Sequence, residues 1–309
     1  MRMLGEFYSV NADEWVVAIR KRGNERLFEG NFDEFRLVPN SLKYWYADPF
    51  LFSKDGKDYL FVEMYDRKTQ KGSIGVGRIR NGKCGKIKKI IDTPYHLSYP
   101  FIFSDDDGIH IVPECYSSCE VQMYKCIKFP YVWKKERLIS NECAVDSTRI
   151  TVNGTELWFA TRFNSPNERF NDNLSVMSDS TGKLRLIKSG LLTRPAGHFV
   201  YASDGTLVRP SQNCTERYGG GLVFNKVTEL TEQSYDEEPF LKVYAPNYAA
   251  NGEKNIVCSK KSSWTYVGAH TYNHNDRYEV VDLKYSGGKS IYLFSVRFKR
   301  YLENKLFGK

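Results

Sequence analysis

The chain has 309 residues, with 45 Lys+Arg against 37 Asp+Glu and a formal net charge of +8 at pH 7. At roughly 100–200 residues per domain, this length holds two ordinary domains or one large closed β architecture. A hydrophobic fraction of 41% with 27% charged residues excludes a disordered chain, and 21 Tyr and 19 Phe favour strands over helices.

No apolar run approaches the roughly 18 residues that a membrane-spanning helix needs. The N-terminal MRMLGEFYSVNADEW lacks the apolar region and cleavage site of a secretory leader, so a cytoplasmic location is expected. The seven cysteines (Cys84, Cys115, Cys119, Cys126, Cys143, Cys214, Cys258) form no even framework, and no second Cys/His pair follows Cys115 and Cys119 at zinc-binding spacing. Reduced thiols, no metal and no cofactor are expected. The basic clusters Lys83–Lys89 and Lys134–Arg137 match no nucleic-acid module and read as solvated surface, so no nucleic-acid partner is expected.

In chain order, the strand Trp15–Arg20 comes first; it has no hairpin partner nearby and is expected to close a ring by pairing with the last unit. Four segments then repeat one template of strand, Gly turn and strand. The first runs from Asp48 through PFLFSKDG and KDYLFV to Glu63, with Gly56 eight residues after Asp48 and Glu63 seven after Gly56. The segments Asp146–Gly154–Thr161 and Gly197–Gly205–Gln212 keep both spacings, and Tyr99–Gly108–Glu114 shifts the turn by one residue. A fifth, weaker start lies at Gly268, followed by YEVVDLKY and SIYLFSVRF. Asp-Gly and Asn-Gly between alternating apolar runs are strong hairpin signals. Further strands follow at Gly72–Ile79, Val121–Ile127, Leu174–Met177 and Gly221–Lys226. Four strands in about fifty residues, five times over, predict an all-β, five-bladed β-propeller in one domain spanning 1–309. A pair of β-sandwiches leaves the fixed spacing unexplained.

In a propeller the innermost strand of each blade lines the central channel, and its start lies at one mouth. The equivalent starts are Asp48, Tyr99, Asp146, Gly197 (with His198 beside it) and His270; the returning strands bring Glu63, Glu114, Thr161 and Gln212 to the same mouth. Arg194 and Arg209 flank the fourth unit and Asp282 follows the fifth. Carboxylates around one cavity are costly unless paired, solvated or used in chemistry. Glycosyl transfer uses such groups, one carboxylate activating the nucleophile and another group assisting departure. Arg and His suit anionic groups, and Tyr44, Trp45, Tyr46, Tyr99 and Tyr218 offer faces on which sugars stack. The competing structural reading has each Asp cap a turn and each Glu pair with a neighbouring Arg. His110 reads as a packed strand residue and His96 as a loop residue.

The chain resembles the furanosidase-type five-bladed propeller domain at the N-terminus of glucosamine inositolphosphorylceramide transferases, which has bacterial relatives in surface-polysaccharide loci. The resemblance rests on WYADPF (Trp45–Phe50), FVE (Phe61–Glu63), KGSIGVG (Lys71–Gly77), SYPF (Ser98–Phe101), PE (Pro113–Glu114) and VD (Val145–Asp146). It continues through RPAG (Arg194–Gly197), RPSQN (Arg209–Asn213), YG (Tyr218–Gly219) and GAHT (Gly268–Thr271). A more distant similarity, to glycoside hydrolase families 43 and 32, implies that Asp48 is base or nucleophile and that Asp146 supports it. Glu114 is then the remaining acid candidate. RPAGH at the fourth blade departs from those hydrolases and suits transfer from a phosphate-activated donor. The resemblance thus implies a cytosolic glycosyltransferase in surface polysaccharide or glycolipid assembly, taking an activated sugar donor and a lipid-linked glycan acceptor. The expected catalytic residues are Asp48, Asp146 and Glu114. The expected substrate contacts are Trp45, Glu63, Tyr99, Arg194, His198, Arg209, Gln212, Tyr218, His270 and Asp282. A furanosidase-type hydrolase and a non-catalytic glycan-binding propeller are the alternatives.

The C-terminal SVRFKRYLENKLFGK sets Val296, Phe298, Tyr301, Leu302, Leu306 and Phe307 among Arg297, Lys299, Arg300, Lys305 and Lys309, with Lys289 upstream. It reads as a basic tail, about 300–309, that either packs on the final blade or makes weak, salt-sensitive contact with the inner face of an anionic membrane.

Overall fold

Asp55 and Gly56 both take positive φ (49° and 69°), as do Asn153 and Gly154 (50° and 84°), and each pair turns one strand directly back onto the next. These turns set the register of antiparallel hairpins, and further strands add to each hairpin's outer edge. The computed structural model describes residues 12–163, 172–178, 182–248, 253–258 and 264–288. Within them the chain makes five sheets of four or five strands, a five-bladed propeller as expected. The first blade holds Tyr44–Lys54, Lys57–Asp66 and Lys71–Arg80, edged by Lys83–Cys84 and Lys88–Ile91. The second runs Ser98–Asp105, Gly108–Glu114, Val121–Lys128 and Val132–Ser140, and the third Ala144–Val152, Thr155–Arg162, Asn173–Ser178 and Arg185–Ser189. The fourth comprises Val200–Tyr201, Leu207–Asn213, Gly221–Leu230 and Tyr235–Tyr244, with Lys254–Asn255 alongside.

The fifth blade joins both ends of the described chain. Ala12–Lys21 pairs antiparallel with Tyr278–Gly288, from Lys21 opposite Tyr278 to Ala12 opposite Gly288. Apolar side chains fill the spaces between blades: Phe50, Phe61, Tyr99, Phe101 and Trp158 between the first three, and Phe28, Phe224, Tyr272 and Val281 between the fourth and fifth. Each such side chain contributes roughly 1.5–3 kcal/mol on burial. No helix among the described residues is long and apolar enough to cross a membrane. Cys119 and Cys143 are joined as a disulfide, which corrects the expectation of reduced thiols throughout. The strand-like SIYLFSVRF and the basic tail, including Arg297–Lys309 and Lys289, lie outside the described residues.

A single backbone device recurs where the innermost strands begin. Asp48, Tyr99 and Asp146 all have left-handed φ (48°, 41° and 55°), and Gly197 has φ 139°. At each of the three non-glycine positions the ladder slips, between Ala47 and Phe50, Ser98 and Phe101, and Val145 and Thr148. Bulges of this kind re-aim one side chain out of the sheet, and here they turn it toward the channel.

Candidate functional site at the channel mouth

The ring-start residues are knitted to one another across the channel. The Asp48 carboxylate accepts the Thr271 hydroxyl at 2.8 Å and the Tyr99 amide at 3.0 Å, while its own amide donates to Asp282 at 2.9 Å. Asp282 also accepts the amides of His270 and Thr271, and its carboxylate lies 2.7 Å from His270 Nδ1. His270 Nε2 stands 3.6 Å from Asp48, with the Trp15 ring stacked on the imidazole at 3.7 Å. The Tyr99 hydroxyl spans the channel to accept the Gly197 amide at 2.7 Å and meets Thr148 Oγ1 at 2.9 Å.

Beside this belt lies a second group. Asp146 accepts Arg194 Nε at 2.6 Å and Gln212 Nε2 at 3.1 Å, and Arg194 Nη2 lies 3.7 Å from Glu114. The Arg194 guanidinium also sits 4.8 Å above the Tyr218 ring. A cavity of about 360 Å³ opens over this group. Glu114, Arg194 and His96 line it together with Tyr116, Phe163 and Tyr218, so a polar floor faces aromatic walls.

Burial governs the electrostatics. It pushes the Asp48 carboxyl up to about 7 against the pull of His270, with Glu63, Asp282 and Asp146 adding to the rise. Burial also holds Glu114 well above the usual carboxylate range; the Asp146 carboxylate reinforces this by Coulomb repulsion and by a hydrogen bond that needs the Glu114 proton. For His270, burial favours the neutral ring, but Asp282 and Asp48 outweigh it and raise its pKa. The mouth therefore offers a carboxyl facing the cavity whose proton is favoured by its surroundings, an Asp–Arg pair beneath it and a carboxyl poised near neutrality behind. The first can donate to a sugar oxygen, the second can meet an anion, and the third can exchange a proton at ordinary pH.

The predicted residues divide by depth. Glu114, Arg194 and Tyr218 line the cavity; Asp48, Glu63, Tyr99, Asp146, Gln212, His270 and Asp282 are buried in the layer around and beneath it. Tyr46 and Tyr99 are buried and offer no open face, and Trp45 stacks on Tyr65 at 4.2 Å. Two expectations need correction. Arg209 is not at the mouth: its buried guanidinium grips Glu237 with two bonds of 2.6 and 2.7 Å and also donates to the Thr193 carbonyl. His198 packs between Phe50 and Phe101, and burial holds it near pKa 4, so it is a neutral packing group. His96 lies in a loop, as expected, and in addition it faces the cavity, with its Nε2 3.2 Å from Glu63. Tyr116, Phe163 and Trp15 were also missed, the first two because they sit on connections between strands.

The model of one family, described as glucosamine inositolphosphorylceramide transferase 1, N-terminal, matches residues 39–255. The chain belongs to this family. Among curated proteins it is 29% identical over 205 residues to glucosamine inositolphosphorylceramide transferase 1 of Oryza sativa subsp. japonica, covering 62% of this chain and 27% of that protein. The Arabidopsis thaliana protein of the same name is 28% identical over 238 residues, covering 74% and 30%. The chain thus spans less than a third of the length of these relatives. Among solved structures, the catalytic domain of a Coprinopsis cinerea GH62 α-L-arabinofuranosidase superposes with a TM-score of 0.50 at 12% identity, covering 78% of this chain and 90% of that one. A GH43 β-xylosidase/α-arabinofuranosidase from a compost metagenome gives 0.51 at 11% identity, covering 78% and 88%. At such identities the likeness shows the fold alone.

Proposed function

We propose that the channel mouth binds a glycosyl unit and transfers it to a glycolipid acceptor, in line with the transferase activity in the names of the curated relatives. The observation that carries this reading is the placement of Glu114 beside the Asp146–Arg194 pair on the floor of an aromatic-walled cavity, where burial and Asp146 favour its proton, with Asp48 behind it. In the transfer, the acceptor hydroxyl attacks the anomeric carbon as the bond to the leaving oxygen breaks. The hydroxyl proton passes to the Asp48 carboxylate. Arg194 and the Glu114 proton receive the charge on the departing group, and Tyr218 and Tyr116 hold the sugar by its faces. A phosphate-activated donor suits Arg194. A lipid-linked acceptor suits the charge of the basic segment Arg297–Lys309, which would attract an anionic bilayer. Each basic residue near an anionic bilayer contributes about 1 kcal/mol, and sedimentation with anionic vesicles at low and high salt checks the contact.

The test is turnover of a panel of nucleotide-sugars with inositolphosphorylceramide in mixed micelles, read as nucleotide release and as glycolipid mass. We expect one donor to react and Asp48→Asn to lower the rate by about 10²–10⁴. A second reading, sugar binding without turnover, has its own support: both Asp48 oxygens already accept protein hydrogen bonds and the side chain is only 8% exposed. Saturable sugar binding with no turnover of any donor, unchanged in Asp48→Asn, decides for it.

A further inference from the structure

We propose that the Cys119–Cys143 disulfide is the clamp that positions the Tyr116–Ser118 wall of the mouth cavity, so that the redox state of this pair sets the shape of the cavity. The bridge ties the second blade, between its second and third strands, to the connection that enters the third blade. Cys119 ends the single 3₁₀ turn Tyr116–Ser118, whose first two residues line the cavity. Cys143 lies two residues before Val145, which lines it from the other blade, and three before Asp146. The same cysteine's carbonyl accepts the Phe163 amide at 2.8 Å, and the Phe163 ring packs edge-on against Tyr116 at 5.5 Å. Bridge, Phe163 and Tyr116 therefore close one circuit around the aromatic wall.

The turn's own backbone bonds are local and long: Ser118 to the Cys115 carbonyl at 3.3 Å and Cys119 to the Tyr116 carbonyl at 3.4 Å. Cys119 takes φ 49°, in the left-handed region that a non-glycine residue occupies only when its surroundings hold it there. A cross-link is a holder of that kind. The nearby Cys115 is buried and meets Ser118 Oγ at 2.7 Å, and burial raises its thiol, which disfavours attack on the bridge from within. Cys119 and Cys143 are themselves partly exposed, so an external thiol can reach them. A dithiol gives up two electrons and two protons: its two sulfurs join in a new disulfide, the Cys119–Cys143 bond breaks, and two cysteine thiols form. The consequence for sugar recognition rests on the function proposed above. The clamp itself does not, and its test uses no ligand.

The full chain, purified without reductant, is first digested under non-reducing conditions and the linked peptides are weighed. Amide hydrogen exchange is then followed with and without dithiothreitol. We expect a peptide carrying Cys119 linked to one carrying Cys143. On reduction, exchange should quicken about tenfold or more at residues 114–120 and 143–146, while the fifth-blade strands 12–21 and 278–285 keep their rates. The double variant Cys119→Ser, Cys143→Ser should match the reduced protein. If that variant does not fold, reversible reduction and reoxidation of the wild type decides alone. Free thiols at both positions even after treatment with glutathione disulfide overturn the proposal. So does a bridge whose reduction leaves residues 114–120 unchanged, or one whose reduction speeds every slow amide equally.

Discussion

Replacing Asp48 with Asn separates the cost of burying this carboxyl from its use. Burial moves its pKa from 3.8 to about 7, so between those values the folded protein keeps a proton that the unfolded chain releases. Stability contributed by such a group falls as pH rises through that window, and the full shift corresponds to at most about 4 kcal/mol by pH 8. Asparagine fits the same partners: its oxygen can accept the Tyr99 amide, and its NH₂ can donate to Thr271 Oγ1. Asp282 still pairs with His270 in the variant, so much of the histidine's own titration cancels in the comparison. Urea unfolding of both proteins at pH 5, 6, 7 and 8 gives the difference directly. The Asn variant should gain about 2–3 kcal/mol on the wild type between pH 5 and 7, while its turnover falls. A difference that stays constant from pH 5 to 8 refutes the reasoning: the bonds from Tyr99 and Thr271 would then keep Asp48 ionised throughout, and it would not be a base poised near neutrality.

Arg209→Met should destabilise the fold by about 3–5 kcal/mol in urea unfolding, because it strands the buried Glu237 carboxylate, and sugar binding by the folded protein should persist. Glu114→Gln keeps an N–H donor for Asp146 and, like Asp48→Asn, should gain stability on the wild type as pH rises above the ordinary carboxylate range, because the folded wild type keeps a proton there that its unfolded chain releases. Its ligand binding should be flat with pH, whereas wild-type binding falls as pH rises through the raised Glu114 pKa, which a titration series measures. Gly197→Ala should cost at least about 3 kcal/mol, because its Cβ would fall 2.0 Å from the Tyr272 carbonyl at φ 139°. Gly205→Ala, at φ 85° with open space around it, should cost only about 1–2 kcal/mol, and thermal unfolding compares the two.

The hairpin turns made the blades legible, since Asp55-Gly56 and Asn153-Gly154 announce where each strand reverses and the constant offsets announce that the units are equivalent. Equivalence in turn puts Asp48, Tyr99, Asp146 and Gly197 on one ring from their spacing alone. Arg209 and Arg194 could not be told apart in this way. Both flank the fourth unit, and only the fold brings Glu237, 28 residues further along, against Arg209. His96 and Arg194 share a signal that the repeat carried all along. Each stands three residues before a ring start, as do Trp45 and Cys143, and of the four it is His96 and Arg194 that line the cavity. Tyr116 and Phe163 follow the ends of returning strands, where connections vary in length and no periodicity marks which ring will face the cavity.

The ring starts explain why folding and chemistry are so closely joined in this molecule. Three of the four left-handed positions are occupied by residues with side chains, at a cost of about 1–2 kcal/mol each. Glycine at all four would remove that cost, and it would also remove the Asp48 carboxylate that holds the second and fifth blades and the Tyr99 hydroxyl that reaches the fourth. The strain therefore accompanies a polar belt that fastens the blades where no apolar side chain could leave a channel open. Because the same bulges aim those groups at the axis, the carboxylates that tie the ring together are also the ones whose pKa values burial displaces. A substitution in the belt should consequently alter stability and proton affinity together, and the pH series on Asp48→Asn reads both from one group.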